Sequence, residues 1–163
     1  MLDATGSVDL PRHNMPMRPL EELAVAARRI LIVEDEMMIA MMVEDFLSDL
    51  GWHALGVACT LEKALEMARN ADFEAALLDV NLNGRDTFDV ADILIERNIP
   101  FVFATGYGAQ GIAQRLRAVP TLAKPYQLDE LDGALQQAMA GAEGQHADPE
   151  TEDPSRGTSG TAQ

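Results

Sequence analysis

The sequence predicts an α/β fold, a parallel sheet with helices on both faces. Three observations carry the prediction. Short continuous apolar runs recur, each stopped abruptly by a polar residue, as buried parallel strands are. Stretches of helical spacing alternate with them, giving five strand–helix units. Gly, Pro and one Asn-Gly pair punctuate the junctions.

The elements follow in order. Residues 30–33 are the first apolar run, stopped by Glu34-Asp35-Glu36. Ile39, Met42, Val43, Phe46, Leu47 and Leu50 then fall at helical spacing, and Gly51 is placed to end the helix. Met42 is assigned to the core. Met38 and Met41 are assigned to ordinary packing in preference to an adaptable contact face. Residues 53–59 read as the second strand, with Cys59 a small buried residue at its end. Thr60 suits the N-cap of a helix whose apolar face is Leu61, Ala64, Leu65 and Ala68. Residues 75–78 form the third strand, ending at Asp79, and Asn83-Gly84 marks a turn. Residues 88–97 are helical. Pro100 precedes the fourth strand, residues 101–104, which ends at Thr105-Gly106. Residues 109–118 read as a weak helix interrupted by Gly111. A short strand at 121–123 ends at Lys124-Pro125. Leu128, Leu131, Leu135 and Met139 make a last amphipathic helix.

The chain has 163 residues and a formal net charge of −15. That length suits one domain with a sizeable core. An acidic balance argues against general binding to nucleic acid or to anionic membranes, both of which need basic surface. One cysteine excludes an intrachain disulfide framework and a Cys-rich zinc site. With no apolar run near membrane-spanning length and no secretory signal, the expected location is the cytoplasm. Residues 1–27 contain three prolines after position 10 and read as a loose extension with room for one short helix near Leu20–Ala27. Residues 28–140 form the folded unit. Residues 141–163, rich in Gly, Asp, Glu, Ser, Thr and Pro, cannot bury enough apolar area to offset ordering entropy and are expected to be a disordered acidic tail.

In open α/β sheets the ligand site lies beyond the carboxyl ends of the strands. Here that edge receives Glu34 and Asp35, then Asp79, Thr105 and Lys124 from four different strands. Three converging carboxylates repel one another, and a divalent cation relieves the repulsion; Mg²⁺ is the natural choice for oxygen ligands. Metal, Lys and hydroxyl together suit a transferring phosphoryl group, with a carboxylate attacking phosphorus. Asp79, alone at the end of the middle apolar strand, is the best nucleophile.

This pattern, in register over residues 28–128, resembles the receiver domain of two-component response regulators. Residues 100–107, Pro-Phe-Val-Phe-Ala-Thr-Gly-Tyr, further resemble the "FAT GUY" subgroup of stand-alone alphaproteobacterial receivers. The resemblance implies a doubly wound five-stranded flavodoxin-like sheet of order 2-1-3-4-5. It implies that Asp79 accepts a phosphoryl group from a histidine kinase of the HWE or a related class, or from a phosphotransfer protein. Glu34, Asp35, Asp79 and the backbone carbonyl of Asn81 would hold Mg²⁺. Lys124 would pair with the phosphoryl group, Thr105 would move to hydrogen-bond it, and the Lys124-Pro125 peptide would be cis. Asn81 and Tyr107 stand where receivers tune dephosphorylation. Thr121 occupies the position of the usual aromatic switch, three residues before the Lys, which leaves the switch role to Tyr107 with Thr105. The loop after Asp79 lacks the Pro common there. With no effector domain expected beyond residue 140, output would be a contact with a downstream protein or withdrawal of phosphate from another receiver. Residues 109–118 would be the mobile element and, with the last helix, the partner face.

Two other readings stand beside this one. A haloacid-dehalogenase-like phosphatase also uses a strand-end Asp and Mg²⁺, but it wants a second Asp two residues on, where this chain has Asn81. A pseudo-receiver scaffold, never phosphorylated, shares the fold but has no need of the full set Asp35, Asp79, Thr105 and Lys124.

Overall fold

The computed structural model describes residues 28–143. In chain order its elements are β1 (Arg28–Val33), α1 (Met37–Asp49), β2 (Trp52–Ala58), α2 (Leu61–Asn70), β3 (Ala75–Asp79), β4 (Asn81–Leu82), β5 (Arg85–Asp86), α3 (Phe88–Glu96), β6 (Phe101–Thr105), β7 (Thr121–Ala123) and α4 (Leu128–Glu143). Five strands form one sheet of order β2-β1-β3-β6-β7, and every pairing in it is parallel. The two-residue strands β4 and β5 form a separate antiparallel hairpin. Setting the hairpin aside, the sheet runs 2-1-3-4-5, as expected.

Strand alternation sorts the apolar runs between two layers. Leu31, Val33, Ala76, Leu78, Phe101 and Phe103 pack against α2 and α3. Ile30, Ile32, Ala75, Leu77, Val102 and Ala104 pack against α1 and α4. The central strands are buried on both sides, which is why they read as continuous apolar runs. On the first face Phe103 meets Phe101 edge-on at 5.4 Å between ring centroids.

Local signals explain the element ends. Thr60 caps α2, its Oγ1 accepting from the Lys63 N–H at 3.2 Å. Gly51 follows α1 with φ +78°, the left-handed conformation that glycine adopts without penalty. Asn83 and Gly84, at φ +54° and +82°, form the two-residue loop between β4 and β5. Two consecutive positive φ values are what a type I′ turn requires.

Three expectations are corrected. Residues 109–118 do not form a helix; they form two 3₁₀ turns, Ala109–Gly111 and Gln114–Leu116, separated by extended backbone at Ala113 (φ −54°, ψ 139°). Gly111 weakens helix there by roughly 1 kcal/mol relative to Ala, and Gly108, just before the segment, has a left-handed φ of +73°. The segment is instead fastened by Ile112 and Leu116, both buried on the α2–α3 face. Met42 is not in the core but 36% exposed. Ala40, Val43 and Leu47 take the inward face of α1, and a residue one step from Val43 is rotated about 100° away from it. Met38 and Met41 are not packed either: with Met37 they form an exposed stripe, Met38 being 86% exposed.

Cys59 is half-buried. Helix α4 continues through residues 141–143, which the sequence assigned to the tail. The expectations for residues 1–27 and for 144–163 lie outside the described residues. No helix among the described residues is long and apolar enough to cross a membrane.

Candidate functional site

Parallel pairing brings the carboxyl ends of β1, β3, β6 and β7 to one edge. Val33 pairs with Leu78, Asp79 with Ala104, and Thr105 with Ala123. The residue at or just after each strand end therefore lands beside its neighbours. Glu34, Asp79 and Thr105 are all buried there.

Lys124 is the centre of the arrangement. Its Nζ donates to Glu34 Oε2 at 2.6 Å and to Asp79 Oδ2 at 2.8 Å. The second oxygen of each acid is held by backbone: Asp79 Oδ1 accepts from the Asn81 N–H at 3.0 Å, and Glu34 Oε1 from the Glu36 N–H at 3.1 Å. Asp35 takes no part in the lysine contact; its Oδ2 accepts from the Asn83 N–H at 3.0 Å. One carboxylate oxygen from each of Glu34, Asp35 and Asp79 lies within 4.8 Å of the other two. The Thr105 Oγ1 accepts from the Tyr107 N–H at 3.1 Å, which leaves its hydroxyl proton free to donate. The Lys124-Pro125 peptide is cis.

The electrostatics follow from burial and from Glu34 and Asp79 sharing one ammonium, with a third acid, Asp35, beside them. Burial raises the Glu34 pKa above the usual carboxylate range, outweighing the Lys124 and Glu36 hydrogen bonds that lower it. Burial alone would lower the Lys124 pKa. The hydrogen bonds and charges of Asp79 and Glu34 together exceed that effect and hold the ammonium above its ordinary value. Tyr126, buried behind the site, has its phenol pushed up to about 12, chiefly by burial. An all-oxygen donor set with excess negative charge matches what Mg²⁺ takes from protein carboxylates.

A cleft of about 650 Å³ opens over these groups and is lined by Asp35, Asp79, Asn81, Thr105, Tyr107 and Lys124. Glu34 joins the site through its bond to Lys124. Every site residue expected from the sequence is thus at this edge, though not all are in contact. Tyr107 projects into solvent, 86% exposed. Thr121 is half-buried, its hydroxyl donating to the Val119 carbonyl at 3.1 Å rather than reaching the site. The Asn81 side chain is partly committed, since its Oδ1 accepts from the Gly84 N–H at 2.8 Å.

Two residues of the site were not anticipated. Thr87 is fully buried and its Oγ1 donates to the main-chain carbonyl of Asp79 at 2.7 Å. Asn83 was legible as a turn residue but not as the hydrogen-bond donor to Asp35. Neither has a sequence signal of its own, because both contacts depend on where the hairpin folds back.

The family model of the response regulator receiver domain matches residues 30–136. The chain belongs to the response regulator receiver family. It is therefore a receiver domain of two-component signalling. The transcriptional regulatory protein PdtaR of Mycobacterium tuberculosis is 31% identical over 121 residues, 72% of this chain and 59% of PdtaR. This chain therefore spans less than two thirds of that relative. The solution structure of SdrG from Sphingomonas melonis Fr1 is 42% identical with a TM-score of 0.61, covering 71% of this chain and 96% of SdrG. The receiver domain of the sensor histidine kinase PA1611 from Pseudomonas aeruginosa PAO1 is 27% identical with a TM-score of 0.60, covering 71% of this chain and 99% of that one. That structure has a magnesium ion coordinated in its active-site cleft.

Proposed function

We propose that this receiver accepts a phosphoryl group on Asp79 from a histidine kinase, of the HWE or a related class, or from a phosphotransfer protein. The observation that carries the reading is the position of Lys124, shared between Glu34 and Asp79 with Asp35 and the Thr105 hydroxyl at the same strand edge. Glu34, Asp35, Asp79 and the Asn81 carbonyl would hold Mg²⁺, which supplies positive charge to the oxygens of the transferring group. An Asp79 carboxylate oxygen forms the new bond to phosphorus while the phosphorus–nitrogen bond of the donor histidine breaks, and the departing imidazole nitrogen takes up a proton. Lys124 already touches Asp79, so it needs only to turn from Glu34 toward the new phosphoryl oxygens. Thr105 donates its free hydroxyl proton to one of them. Tyr107, exposed beside the cleft, is the aromatic side chain available to follow Thr105 in the manner of the FAT GUY receivers.

Glu36, just before α1, borders the cleft, and Met37, Met38 and Met41 beyond it offer the donor protein a soft, exposed contact face. Output is contact with a protein partner or withdrawal of phosphate from another receiver. Incubation with acetyl phosphate and Mg²⁺, followed by intact mass, tests the reading. The expected result is a gain of one phosphoryl group that Asp79→Asn abolishes. No gain, or a gain that survives Asp79→Asn, overturns it.

A further inference from the structure

We propose that Asn83 is a positioning residue for the divalent cation, acting through Asp35. The inference rests on the metal reading above and deepens it. Among the described residues, Asp35 is the one acid of the cluster without an ion pair, since Lys124 is shared by the other two. The one hydrogen bond to its carboxylate among the described residues comes from the Asn83 N–H, at 3.0 Å and 48 residues along the chain.

That N–H is aimed by the turn. Asn83 and Gly84 at φ +54° and +82° reverse the chain between β4 and β5 and direct the amide back at Asp35. The turn is fixed from three sides. The Asn83 side-chain amide donates to the Cys59 carbonyl at the end of β2, at 2.9 Å. The Gly84 N–H donates to Asn81 Oδ1 at 2.8 Å. Leu82 is buried in the core beneath. Asn83 thus links the end of β2 and the loop after β1 to the hairpin after β3. A ligand carboxylate already held in place loses little further freedom when the cation binds, so a turn that orients Asp35 raises the affinity for the metal. Asn is also among the few side chains that tolerate positive φ, whereas a β-branched residue does not.

The test is Mg²⁺ titration calorimetry on the full chain, each variant at a temperature where circular dichroism shows it folded. Asn83→Val, which opposes the turn, should weaken Mg²⁺ by about tenfold, the low end for outer-sphere partners of metal ligands. Asn83→Gly keeps the positive φ and the N–H but gives up the side-chain bond to the Cys59 carbonyl, and should weaken Mg²⁺ clearly less than Asn83→Val. Leu135→Ala in α4, remote from the site, should lower thermal stability and leave Mg²⁺ affinity unchanged. Should Asn83→Val fail to fold, Asn83→Ala carries the same comparison. Parent-like affinity in Asn83→Val, or equal weakening in the Val and Gly variants, refutes the inference while the metal reading stands. No Mg²⁺ binding by the parent chain refutes both.

Discussion

Replacing Lys124 with Met keeps the length of the stem and removes the charge between two buried carboxylates. At an effective dielectric of about 20, each of the 2.6 and 2.8 Å contacts has a gross attraction of roughly 6 kcal/mol. Desolvation of the ammonium offsets much of this. Removing one partner of a buried pair costs about 3–5 kcal/mol, because the other charge is left uncompensated. Lys124 is 14% exposed, so water reaches the gap and the low end, about 3 kcal/mol, is expected. Urea unfolding in EDTA measures the loss. Adding Mg²⁺ should then restore more stability to the variant than to the parent, since the cation supplies the missing charge and ligand binding stabilises the folded state by mass action. Glu34→Gln in the Lys124→Met background should recover part of the loss by removing one of the stranded acids. A loss under about 0.5 kcal/mol would mean the pair behaves like an exposed salt bridge, and the account of the site as a charge-strained cluster would fail.

Three further outcomes are expected. Because burial raises the Glu34 pKa, the folded state holds its proton more tightly than the unfolded chain does. The stability this group contributes is therefore present at low pH and lost as pH rises from about 4.5, its ordinary value, through the raised folded value. Melting temperature against pH in EDTA should show that decline in the parent and a flatter profile in Glu34→Gln; the same slope in both would assign it to another group. Thr87→Val strands the buried Asp79 carbonyl and should cost about 1–3 kcal/mol in urea unfolding, with Thr87→Ser closer to the parent; equal stability of the two variants would contradict the role given to the hydroxyl. Met38→Glu combined with Met41→Glu should slow transfer from a phosphodonor protein severalfold and leave acetyl phosphate labelling unchanged; equal loss with both donors would place the effect in the site rather than in docking.

The strands were legible because burial on both faces writes itself into sequence as an unbroken apolar run. Residues 30–33, 75–78 and 101–104 each carry one, and each stops at the polar residue that reaches the site edge. The caps were legible for the same local reason: Thr60 and Gly51 act on backbone groups within a turn of themselves. Residues 109–118 failed because their signals conflict. Ala, Gln, Arg and Leu favour helix, while Gly111 weakens it, and burial of Ile112 and Leu116 decides the outcome through contacts with distant residues. Met42 failed because helical spacing alone leaves the edge of an apolar stripe undefined by one residue.

The polar side chains of the site divide along the same line. Glu34, Asp35, Asp79, Thr105 and Lys124 could be placed together because parallel topology puts strand ends at one edge whatever the loops do. The hydrogen bonds that make the cluster a device could not, since Thr87 reaches Asp79 and Asn83 reaches Asp35 only once the hairpin has folded back. One such bond bears on how a signal would leave the site. Thr105 Oγ1 accepts from the Tyr107 N–H, so the hydroxyl cannot move toward a phosphoryl group on Asp79 without stretching that bond or drawing the Tyr107 backbone with it. Tyr107 leads directly into the 3₁₀ segment, which is anchored to α3 by the Arg115–Asp92 ion pair at 2.8 Å, an exposed contact. The segment's own anchors in the core are Ile112 and Leu116, so the residues between Thr105 and Ile112 are the ones least costly to shift. Displacement begun at Thr105 is therefore expected to be taken up in residues 106–111, while Ile112, Leu116 and the strands behind the site, buried on both faces, stay where they are.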